Sequence, residues 1–234
     1  MKKRSMNLPK SSAGLLSRSL AVYFKDMRLE LRTRSALNAI LMFGVTTLAV
    51  VSFSLGQSNL SPKIMSALFW VIMFFSAMSG LAQTFIREEE TGTSLALKLT
   101  ADADSIYLGK LFFNLTLLTM MTLIITPMFF IFTDAPTNNL FPFLVVLVLG
   151  VFGLVSATTI VAAIIAKAST KGALFAVLSF PILMVLLMSL VSASEKIFDN
   201  QTLADTSSEV QFLIAYVVVM TTASILLFKF VWRE

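Results

Sequence analysis

An all-α integral membrane protein with six transmembrane helices is the fold class this sequence predicts, and three observations predict it. Six apolar runs each reach the ~20 residues an α-helix needs to cross a bilayer core. Only 13% of the 234 residues are charged and 57% are hydrophobic, where a soluble domain carries roughly a quarter charged. Of 18 Lys and Arg, sixteen fall on one side of the membrane if the six runs alternate in direction, and only Lys63 and Lys196 fall on the other. An excess of Lys and Arg marks the cytoplasmic side. Both termini and the 87–110 segment are therefore expected there.

Residues 1–14 are basic, small and polar, and are expected to be disordered. Residues 15–34 read as an amphipathic interfacial helix. Leu16, Leu20, Tyr23, Phe24, Met27 and Leu31 fall within about a 100° arc, while Arg18, Lys25, Arg28 and Arg32 lie opposite. Such a helix suits the headgroup layer, and a helix packed on another subunit is the alternative. Asp26, Glu30 and Arg34 recur every four residues along one edge, which orients Glu30 and Arg34 for a helical ion pair. The remainder, 35–234, forms one six-span domain, with spans at about 36–55, 63–86, 111–132, 141–165, 173–191 and 210–230. Pro62 suits the opening turn of the second span. Tight turns are expected at 133–139 and 167–171. An acidic connection at 192–209 carries Glu195, Asp199, Asp205 and Glu209.

Chemistry inside the membrane is sparsely provided for. The chain has no Cys and no His, which removes disulfides, thiolate metal sites and the commonest acid–base catalyst. Neither a catalytic residue nor a metal ligand is assigned. The spans offer Gln83, Asn114 and hydroxyls such as Thr116, Thr119, Thr122 and Thr126, which suit helix packing better than a substrate path. Ser76/Gly80 and Gly153/Ala157 are small pairs suited to close helix contact. Pro127 and Pro181 are expected to kink their helices. Gly109-Lys110, followed by Leu111, is no nucleotide-phosphate loop. If ATP is used, the ATPase is another chain.

The 87–110 segment is the longest polar stretch between two spans, and it reads as a short docking helix where a separate, energy-supplying protein would push. A plain solvated loop is the alternative. In the docking reading Glu88, Glu89 and Glu90 sit early in the helix, where its dipole favours negative charge. Gly92 permits a bend, and Leu95, Leu97 and Leu99 supply an apolar face for a groove on the partner.

Three segments carry a family resemblance. Lys25-Asp26-Met27-Arg28-Leu29-Glu30-Leu31-Arg32-Thr33-Arg34 closely resembles the opening of the haem exporter B proteins (CcmB) of cytochrome c maturation. So do Phe85-Ile86-Arg87-Glu88-Glu89-Glu90-Thr91-Gly92-Thr93 and Ile106-Tyr107-Leu108-Gly109-Lys110-Leu111. The usual Thr-Leu-Glu after the glycine is replaced by Thr93-Ser94-Leu95-Ala96, with an inserted or shifted residue and no glutamate, which leaves the register of the docking helix open. The resemblance implies a non-catalytic, ABC-2-like membrane subunit in a bacterial inner membrane. The implied partners are the ATPase CcmA, the haem-handling CcmC, the small CcmD and the periplasmic haem chaperone CcmE, with a homodimer as one arrangement. ATPase coupling is then expected from Arg87, Glu88, Glu89, Glu90, Gly92, Thr93, Leu95 and Leu99. The interfacial helix would contribute through Lys25, Asp26, Arg28, Glu30 and Arg32. Haem would be transient cargo rather than a tightly held cofactor, because an axial site needs His, Cys, Met or Tyr. The 13 Met are mostly packing residues, and only Tyr216 of the tyrosines is placed in a span. An ABC-2 permease for a lipid or drug, or a membrane scaffold without a transport cycle, are the competing readings.

Overall fold

Apolar runs of this length leave the backbone no hydrogen-bond partner but itself, and the described regular structure is wholly helical. A computed structural model describes residues 14–55, 60–81, 83–166 and 171–233. It excludes the side chains of residues 55, 83, 95, 98, 171–176, 178 and 233. The expected N-terminal tail to residue 13 and most of the 167–171 turn lie outside those residues. In chain order the helices are α1 (Leu15–Thr33), α2 (Ser35–Leu55), α3 (Pro62–Leu81), α4 (Gln83–Glu90), α5 (Ser94–Thr100), α6 (Ala103–Thr133), α7 (Leu140–Ile165), α8 (Lys171–Phe198) and α9 (Ser207–Arg233). Six stretches among them are long and apolar enough to cross a membrane, with α3 and α4 forming one of the six.

Three helix ends differ from the expected boundaries. The second apolar run stays helical to Glu90, the third starts at Ala103, and the fifth reaches Phe198. Hydropathy registers only the part of a helix that meets lipid, whereas the backbone ladder continues wherever polar side chains find partners. Lys110 and Glu88 pair at 2.8 Å at one such extension, and Lys196 and Glu209 pair at 2.7 Å near another. At 1.5 Å per residue the 31-residue α6 is about 46 Å long, well beyond a ~30 Å hydrocarbon core. Pro127 and Pro181 lie within continuous helices.

Helix α7 packs against α3, α4, α6, α8 and α9, and α1 lies along α6. Small residues set the closest contacts. A Cβ on Gly150 would stand 2.2 Å from the Trp70 ring, one on Gly80 2.0 Å from Ile40, and one on Gly153 2.9 Å from Leu186. The expected small pairs do mark crossings, though Gly150 belongs to neither. The threonine stripe divides: Thr122 is buried and donates to the Leu118 carbonyl at 2.7 Å, while Thr119 is exposed.

The buried apolar residues form two clusters. One joins Phe69, Trp70, Phe129, Phe143 and Phe198, with edge-to-face or stacked ring centroids 5.1 to 5.4 Å apart. Within it the Trp70 Nε1–H donates to Ser194 Oγ at 2.8 Å. The other joins Val22, Phe85, Tyr107 and Phe228 at the lysine- and arginine-rich end. The candidate site lies at that basic end.

Candidate functional site

The site begins with a glycine. A Cβ at Gly109 would lie 2.7 Å from both the Ser19 carbonyl oxygen and the Val22 Cβ. Only a residue without a side chain lets α1 and α6 approach so closely. The next residue, Lys110, is thereby carried into the junction of α1, α4 and α6, where its side chain is 1% exposed. Its Nζ donates to the Thr84 carbonyl at 3.0 Å and to Glu88 Oε1 at 2.8 Å. Asp26 Oδ2 lies 3.0 Å away, near enough for strong Coulomb attraction though outside hydrogen-bond geometry.

Glu88 is the second hub. It accepts from Lys110, from Lys25, and from the Thr93 hydroxyl at 2.6 Å. Lys25 also stands 3.1 Å from Asp26. Two cations and two carboxylates thus close a neutral cluster, the arrangement that makes burial of charge tolerable. Burial pulls the Lys25 pKa down, but the Asp26 and Glu88 carboxylates outweigh it and raise it above the usual 10.5. Further inward the Thr84 hydroxyl donates to Asn114 Oδ1 at 2.5 Å, and Asn114 Nδ2 donates to Thr159 Oγ1 at 2.9 Å. A continuous polar line therefore runs from the edge of α1 through α4 and α6 to α7.

Around this core α1 is fastened twice more. Arg18 pairs with Asp102 just before α6, and Arg87 stands 4.0 Å from Glu30 while donating to Thr33 Oγ1 at 3.4 Å. Glu30 Oε1 also accepts the Leu37 backbone N–H at 2.9 Å, capping the first turn of α2. The expected Glu30–Arg34 pair is therefore replaced. Arg34 instead ends α1 in a left-handed conformation, φ 52°. The amphipathic helix has three faces rather than two. Leu16, Leu20, Phe24 and Leu31 are exposed, Arg28 and Arg32 are exposed on a separate face, but Ser19, Val22, Asp26 and Glu30 are buried against the bundle. Periodicity could not separate the last face, because a carboxylate edge reads as solvated unless its cations are known.

Two expectations about the docking segment are corrected. Glu88, Glu89 and Glu90 close α4 rather than open a helix. The dipole opposes negative charge there, and Glu88 is held instead by Lys110, Lys25 and Thr93. The short helix is α5, entered through the Thr91–Gly92 turn with Gly92 at φ 69°, a conformation that favours glycine. Leu97 and Leu99 do not share a face, since residues two apart on a helix point nearly opposite ways. Leu97 is buried against the bundle and Leu99 is 79% exposed. The Leu95 side chain lies outside the described residues, Glu89 is half-buried, and Glu90 is exposed. Lys110, Asn114 and Gly109 were absent from the expected site. The adjacency of Gly109 to a lysine beside a span was the available signal for the first two steps of the cluster.

Six helical stretches long and apolar enough to cross a membrane, with a further helix along the basic end and a short one between the second and third, define a multi-pass membrane protein. The family model described as CcmB protein matches residues 17–231, so the chain belongs to the CcmB family, the membrane subunits of the haem exporter of cytochrome c maturation. Comparison with individually curated proteins gives no match.

Proposed function

We propose that this subunit converts ATP hydrolysis by a separate chain into movement of its spans, and that the movement serves haem delivery to the periplasm or release of the haem-loaded chaperone. The observation that carries this reading is the buried Lys110 junction. It fastens α1, α4 and α6 together directly behind the exposed α5, so a push on α5 is passed on as rigid-body motion. The ATPase, a CcmA-like chain, meets the Gly92 turn and the outer side of α5 at Leu99. CcmC-like and CcmD-like membrane proteins complete the assembly in a bacterial inner membrane, with both termini and α5 on the cytoplasmic side.

Haem is cargo in this scheme, and release of the loaded chaperone is favoured over passage through the subunit. Tyr216, deep in α9, already donates to the Ile182 carbonyl at 3.0 Å, and Tyr107 is packed against Phe228 at 5.3 Å. Neither is poised as an axial ligand. The test is co-purification with the ATPase and ATP-dependent chaperone release in Leu99→Asp and Gly92→Ala variants. Both quantities are expected to fall. Unchanged values in both variants would remove α5 as the point of contact.

A further inference from the structure

A cavity of about 1050 Å³ is lined by residues of α1, α4, α5 and α6. It lies at the upper end of the range for ligand pockets. The Lys110–Glu88 pair, Phe113, Leu97 and Arg87 line it together with Arg28 and Arg32 of α1. The three carboxylates bordering it are committed: Asp26 and Glu88 to Lys25 and Lys110, and Glu30 to Arg87 and the α2 backbone. Arg28 and Arg32 are exposed and form no ion pair among the described residues. Two guanidinium groups one helical turn apart thus line this recess, with no carboxylate among the described residues paired to them.

From this geometry we infer that the cavity is a binding site for an anionic phospholipid, its phosphate held by Arg28 and Arg32 and its acyl chains directed past Phe24. A guanidinium presents a planar fork suited to phosphate oxygens, and basic residues at the membrane surface attract anionic lipids. Phe24 lines the cavity and also belongs to the exposed apolar stripe of Leu16, Leu20 and Leu31. The recess is therefore continuous with the side of α1 that faces lipid. That continuity favours a lipid over a peptide segment of a partner, which would approach from the aqueous side. The lipid would act as a wedge that sets the spacing of α1 and α5.

The test uses the full chain in a zwitterionic detergent, with thermal unfolding followed in the presence of phosphatidylglycerol, phosphatidylcholine or inorganic phosphate. Phosphatidylglycerol is expected to raise the midpoint by several degrees and the other two to leave it unchanged. An Arg28→Gln/Arg32→Gln double variant is expected to lose the response, and Lys63→Gln, at the opposite end, to keep it. Equal stabilisation by phosphatidylcholine, an equal effect of phosphate alone, or a response surviving in the double variant would each overturn the site. A photoactivatable phosphatidylglycerol gives a second readout on the unaltered chain. Cross-links within residues 24–32 and 96–100 are expected. Cross-links confined to other segments, or protection of these segments by the ATPase subunit with no lipid effect, would assign the cavity to something other than lipid.

Discussion

At Lys110 the chemistry of one side chain decides whether three helices stay together. Removing one partner of a buried ion pair leaves an uncompensated charge, at a cost of about 3–5 kcal/mol. Lys110→Met leaves Asp26 and Glu88 facing each other with only the half-exposed Lys25 between them. It is expected to lower the unfolding midpoint strongly, and Glu88→Gln in the same chain should restore part of the loss. A double variant no more stable than the single one would contradict this account of the cluster. Lys25 adds a pH dependence whose sign follows from its raised pKa. Its contribution is complete below the unfolded value of about 10.5 and is lost as pH rises through the higher folded value. Unfolding midpoints measured on the alkaline side should therefore fall more steeply for the native chain than for Lys25→Met.

For the elements, the contact of α1 with α6 depends on a missing side chain. Gly109→Leu places atoms where the Ser19 carbonyl and Val22 already stand, so α1 must lift from the bundle. Limited proteolysis should then cut within 15–33 in the variant and spare the native chain. Gly92 has open space around its Cα, so only its φ of 69° resists substitution. Left-handed backbone costs a residue with a Cβ roughly 1–2 kcal/mol, and Gly92→Ala should reorient α5 with little effect on the spans. At the opposite end, Gly150→Ala drives a methyl into the Trp70 ring. Weakening of the Trp70–Ser194 bond would appear as a shift in tryptophan fluorescence.

Across the whole molecule, the proposed orientation has a direct test because the chain lacks cysteine. Single Leu99→Cys and Thr137→Cys variants place thiols at opposite ends of the bundle. A membrane-impermeant reagent should label Thr137→Cys in intact cells and Leu99→Cys only after lysis; the reverse would invert the topology and separate α5 from any cytoplasmic ATPase. Spectral titration of the isolated subunit with haem should give no stoichiometric, axially ligated species. Fold class and span number were legible from the sequence because lipid imposes a local rule, ~20 apolar residues per crossing, and each run satisfies it without reference to its neighbours. The segment between the second and third spans was legible for the same reason, as a polar interval. Which of its residues face the bundle was not. Glu88, Asp26 and Lys110 are 22 to 84 residues apart in sequence, and a carboxylate's role depends on which cation the fold brings to it. Even the turn that places Leu97 inward and Leu99 outward follows from where α4 stops, not from the leucines themselves. Composition and periodicity by themselves determined a six-span membrane protein with a surface helix. Only the packing of α1 onto Gly109 decided that the charges on that helix form a buried clamp rather than a solvated edge, because pairing is a property of distance in space.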